Sequence, residues 1–132
     1  MISLRPVALA SIMCASLLLT APAARADDSV TYEVVSRDIA NANVEYFDHS
    51  QRKVLEGVPL PWRTSVAVID AHSASTDGAE VRADWRSSIA ALPAWRPGQW
   101  VTVRIYYRSK IICENTLDVG NAACYGSTPF RS

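Results

Sequence analysis

Val101-Thr102-Val103-Arg104-Ile105-Tyr106-Tyr107 alternates without a break. Val101, Val103, Ile105 and Tyr107 point one way, and Thr102, Arg104 and Tyr106 point the other. A repeat of two residues marks a half-buried β-strand, because successive side chains leave opposite faces. Val30-Thr31-Tyr32-Glu33-Val34 repeats the pattern near the start of the chain. Between these two anchors, Val44, Tyr46 and Phe47 suggest a strand ending at Asp48. Asp48-His49-Ser50-Gln51 then reads as a turn, and Lys53-Val54-Leu55 as the returning strand. Gly57, Pro59 and Pro61 interrupt the next stretch; proline cannot donate to a ladder, so the chain there is a sheet edge or a crossing between sheets. Trp62, Thr64, Val66 and Val68 share one face of the next strand, opposite Arg63 and Ser65.

Residues 71–79 are small and polar and read as a loop. Residues 80–91 fit either a strand holding Val81 and Ala83 or a short helix around Trp85 and Ile89, with Pro93 and Pro97-Gly98 as breakers. Beyond Tyr107, Arg108-Ser109 forms the tip of a hairpin that returns through Ile111 and Ile112 to Cys113. A last strand through Ala122 to Tyr125 is expected alongside it. No segment longer than about twelve residues keeps a helical period. Short strands at turn spacing in so small a chain imply an all-β fold, a small immunoglobulin-like sandwich of about six to eight antiparallel strands.

The first 26 residues read differently. Arg5 precedes an apolar run from Val7 to Leu19, and Ala24-Arg25-Ala26 sets small residues where a signal peptidase reads them. Residues 1–26 are therefore expected to be a secretory signal cut before Asp27, or an uncleaved membrane anchor, and residues 27–132 a single domain. The expected location is the periplasm, the cell envelope or the exterior. Without Arg5 and Arg25 the thirteen basic residues become eleven, against thirteen acidic ones, a net charge of −2. That balance gives no electrostatic reason to bind nucleic acid. Cys113 and Cys124 remain once Cys14 leaves with the signal, and an even pair in an exported domain is most simply one disulfide.

Catalytic patterns are sparse. Asp70, His72 and Ser73 bring together the residue types of a hydrolytic triad, but triads are built by geometry across a fold and no nucleophile elbow is present. Glu114 and Asp118 make a carboxylate pair in a polar run, without the desolvation a general acid needs. No metal or cofactor motif occurs, so the expectation is a protein with no cofactor and no catalytic activity. The aromatic residues offer an alternative, a secreted module that takes an apolar or glycan ligand. Trp62 and Trp100 are expected in the core. Trp85 and Trp95, each followed by an arginine, are candidates for a binding face, joined by a basic cluster of Arg104, Arg108 and Lys110.

Three segments carry a resemblance to a known family. They are Val30-Thr31-Tyr32-Glu33-Val34, Ala42-Asn43-Val44-Glu45-Tyr46-Phe47-Asp48 and Val58-Pro59-Leu60-Pro61-Trp62. Together they resemble the mycobacterial small membrane proteins, the MmpS family, whose domain has a V-x-Y-E-V strand, a Tyr-x-Asp before the first hairpin and a Leu-Pro-Trp opening to the central strand. Val103-Arg104-Ile105 and the segment from Gly120 to Cys124 resemble its closing hairpin and cysteine. The resemblance implies Tyr32, Tyr46, Asp48, Pro61 and Trp62 as framework. It also implies a sandwich outside the cytoplasmic membrane that docks on a large RND-type exporter of lipids or siderophores and catalyses nothing. The chain departs from the family at its release signal, at Val103 in place of a first cysteine, and at Arg108-Ser109 in place of an Asp-Gly tip, as a divergent member would.

Overall fold

The computed structural model describes residues 26–86 and 96–129. Nearly all of the expected signal segment, together with Ile89, Pro93 and Trp95, lies outside the described residues. Eight strands succeed one another: β1 (Asp28–Ser36), β2 (Asn41–Asp48), β3 (Gln51–Pro59), β4 (Trp62–Val68), β5 (Glu80–Asp84), β6 (Val101–Tyr107), β7 (Lys110–Leu117) and β8 (Asn121–Tyr125). They build two four-stranded antiparallel sheets, ordered β4-β1-β6-β7 and β3-β2-β5-β8. No helix occurs among the described residues. The fold is the expected β-sandwich; its strand order is its own, not the ABED/CFG arrangement of immunoglobulin constant domains.

The alternation read from the sequence is the burial pattern. Val30, Tyr32 and Val34 of β1 and Val101, Val103 and Ile105 of β6 face inward from the first sheet. Ala42, Val44, Val81, Ala83, Ala122 and Cys124 meet them from the second, in one continuous core. Tyr32 also ties the layers by polar bonds, donating its hydroxyl to the Phe47 carbonyl at 2.7 Å and accepting the Glu80 N–H at 3.3 Å. Buried polar groups need such partners, since each unmet one costs roughly 1–3 kcal/mol.

One connection between layers falls where the prolines stand. The segment holding Leu60 and Pro61, joined by a cis peptide bond, carries the chain from the edge strand β3 of one sheet to the edge strand β4 of the other. Gly57, at φ +60°, lies where the β2–β3 register shifts, and donates its N–H to Asn43 Oδ1 at 2.8 Å. Residues 69–79 form the expected loop, and residues 80–84 resolve to a strand. Gly126 comes so near the Ala71 carbonyl that an added Cβ would overlap it, which fixes this loop against the chain's last turn.

The disulfide brings the last strand alongside β7, as expected, but from the other layer. β8 pairs with β5 in the opposite sheet, and the Cys113–Cys124 disulfide, with its Cα atoms 5.7 Å apart, joins the edge strands of the two layers. Asn115 of β7 reinforces the same seam by donating to the Ala123 carbonyl of β8 at 3.2 Å.

Candidate functional site

The outer face of the first sheet is built from the polar half of the alternation. Arg63, Glu33, Arg104 and Glu114 stand in one row across β4, β1, β6 and β7, each directly opposite the next in register. Glu33 accepts from Arg63 at 2.9 Å, from Arg104 at 2.8 Å and from the Tyr106 hydroxyl at 3.1 Å; Arg104 also holds Glu114. Burial on its own raises the Glu33 carboxyl, but the hydrogen bonds from Arg104, Tyr106 and Arg63 outweigh it and hold the group below its ordinary value. The hydrogen bonds that Arg104 donates to Glu114 and Glu33 push its guanidinium up, so this charge is already spoken for.

The expected basic cluster is therefore divided. Arg104 sits mid-strand in the ion-pair row, while Arg108 caps the hairpin tip over the Tyr107 ring at 4.9 Å and Lys110 opens β7 in solvent. The tryptophans also differ from expectation. Trp85 is completely buried and presents no surface, so it cannot belong to a binding face. Its Nε1 finds no hydrogen-bond partner among the described residues. Trp100, expected in the core, is 50% exposed. Trp95 lies outside the described residues. Trp62 is half-buried at the margin of the core.

The triad types do not form a relay. His72 Nδ1 contacts the Gly126 carbonyl at 2.9 Å, Ser73 Oγ bonds Ser75 Oγ at 2.8 Å, and Asp70 Oδ1 accepts the His72 backbone N–H at 3.0 Å. Asp70 and Ser73 thus serve their own loop, and His72 ties that loop to the turn after β8. Glu114 pairs with Arg104, and Asp118 accepts the Gly98 N–H at 3.0 Å, so the two carboxylates take different partners. Among the described residues, no three His, Cys, Asp or Glu side chains converge as a metal centre requires.

On the outer face of the second sheet, an open groove of about 460 Å³ is lined by Asn43, Glu45, Arg82, Asp84, Arg86 and Asn121, among others. Most of its charges are paired locally, Arg86 with Asp84 at 2.7 Å, Arg82 with Glu80, and Glu45 with Arg52 at 2.7 Å, while Glu56 on the same lining has no ion pair among the described residues. The hydrogen bond from Arg86 holds the Asp84 carboxyl below its usual range against the opposing effect of burial.

Of the residues that the family resemblance implies as framework, three gather. Tyr32, Tyr46 and Trp62 stand on three strands and stack in sequence, with ring centroids 5.5 and 5.3 Å apart. Pro61 sits directly before Trp62 at the crossing, and Asp48 ends β2. This stack lies on the side of the sandwich where β3 and β4 form the edges, opposite the disulfide seam. Sequence alone does not single out this edge, because alternation reveals which face is inward and not which strand ends a sheet. No protein-family model matches the chain, and a search of curated proteins finds no match.

Proposed function

We propose that this chain is an exported, non-enzymatic β-sandwich that assists a large RND-type envelope exporter by docking on it. The observation that carries the reading is the convergence of Tyr32, Tyr46 and Trp62, the aromatic residues of the family resemblance, into one stack. Residues scattered over three segments of sequence act there as one structural unit, which is what a shared framework requires. The Cys113–Cys124 disulfide supports an oxidising compartment. The ion-pair row of Arg63, Glu33, Arg104 and Glu114 supports a surface made for contact and not for chemistry.

Affinity purification of the full chain from crosslinked envelopes tests this. The reading expects a large polytopic transporter in the purified complex. A clean purification with abundant chain and no transporter would contradict it.

A further inference from the structure

Of the four edge strands, three are closed or blunted. β7 and β8 are sewn together by the disulfide and by the bond from Asn115 to the Ala123 carbonyl. β3 carries the bulge at Gly57, ends in Pro59 and bears Arg52, Lys53 and Glu56, which are common devices against strand pairing. β4 has no bulge and no proline along Trp62–Val68. Its orientation is set by one bond: the Ala67 carbonyl accepts the His49 N–H at 2.9 Å, so it points away from β1. In a strand the N–H and C=O of one residue share a side and alternate residues repeat it. Arg63 and Ser65, both exposed, therefore also aim their backbone groups outward.

The second sheet supplies a floor beside this edge. β4 packs over β2 and hardly touches β3, so β3 projects past it. Lys53 and Leu55 stand opposite Tyr46 and Val44 in register, on the inward face of β3. Lys53 is nevertheless exposed and Leu55 only half-buried, because no strand lies above them. The Lys53 ammonium reaches Gln51 Oε1 at 3.4 Å and has no carboxylate in ion-pair range among the described residues. The place next to β4 and above β3 is thus one strand wide, edged by the outward peptide groups of Arg63 and Ser65 up to the Ala67 carbonyl that His49 holds, and floored by Leu55, Lys53 and the Tyr46–Trp62 pair.

We infer that this edge takes up an extended segment of a partner protein as a fifth strand of the first sheet, with apolar side chains over Leu55 and Trp62 and a carboxylate meeting Lys53. Lys53 then acts in selection, repelling basic segments and admitting acidic ones. A second copy of the chain does not fit, since two copies joined at β4 would drive each projecting β3 into the other's second sheet. The inference specifies the surface the proposed docking uses, and depends on that reading only for the partner's identity.

The test places a photocrosslinking residue at Ala67 beside the edge, or at Thr116 on the far strand of the same sheet, in the full chain within its native envelope. The expected result is an adduct from position 67, mapped by mass spectrometry to an extended acidic segment of another protein, and none from position 116. Ser65→Pro removes an outward N–H without touching the ladder to β1, and should cut adduct yield about tenfold. Ser65→Ala, which loses the same hydroxyl, should keep it. Lys53→Glu, at an exposed position that leaves folding intact, should also cut the yield. An adduct insensitive to Ser65→Pro and Lys53→Glu, or one made of two copies of this chain, would overturn the inference. Adducts from position 116 alone would overturn it and leave docking itself standing. Adducts from neither position would overturn both.

Discussion

Glu33 joins more of the first sheet than any other side chain, since three donors from β4 and β6 meet on its carboxylate. Glu33→Gln keeps the shape but removes the charge, and should cost about 2 kcal/mol in denaturant unfolding. Because its folded pKa is depressed, the stabilisation is complete above the unfolded carboxylate range and drains away as pH falls through the folded value. The thermal midpoint of the wild type should therefore fall more steeply on acidification than that of Glu33→Gln. Trp85 makes a second contrast: Trp85→Ala, at the largest wholly buried side chain, should cost roughly 3–5 kcal/mol, while Trp100→Ala should stay within about 0.5 kcal/mol. Chemical denaturation of the pair checks this directly. The two tryptophans depart from expectation for one reason. Arg86 after Trp85 suggests surface, but the inward alternation of β5 runs on from Val81 and Ala83 to Trp85, which buries the indole and leaves Arg86 outside. By the same parity, Val101 facing in leaves Trp100 facing out.

At the scale of elements, both two-residue hairpins hold non-glycine residues at positive φ, His49 and Ser50 at 48° and 67°, Arg108 and Ser109 at 50° and 62°. L-residues other than Asn and Asp adopt this region at a cost of about 1 kcal/mol each. The double change Arg108→Asn with Ser109→Gly should raise stability by roughly 1 kcal/mol, read as a higher thermal midpoint. The disulfide closes a short loop, with a sequence separation of 11, so replacing both cysteines should cost about 3 kcal/mol on chain-entropy grounds. Strands, turns and the proline-marked crossing were legible in the sequence because each rests on local rules: alternation, turn residues, missing donors. The position of β8 was not. A bridge between Cys113 and Cys124 suits neighbours in one sheet or edges of two, and only the pairing of β8 with β5 decides it.

For the whole molecule, the sandwich is asymmetric about its long axis. One side is sealed by the disulfide, and the other presents the aromatic stack, the open edge of β4 and the projecting β3. Tyr32, Tyr46 and Trp62, which the family resemblance singles out, meet in one stack, but the edge beside them was not legible in the sequence, since strand order is a property of the assembled sheets. Arg63 and Ser65 look like ordinary solvent-facing residues until β4 is seen to end its sheet. Hydrogen–deuterium exchange of the full chain, compared between the purified protein and isolated envelopes, tests the docking account most directly. It predicts slowed exchange in envelopes across residues 62–68, centred on the Arg63 and Ser65 amides, with the groove of the second sheet unchanged. Identical exchange at every peptide in the two settings would contradict it.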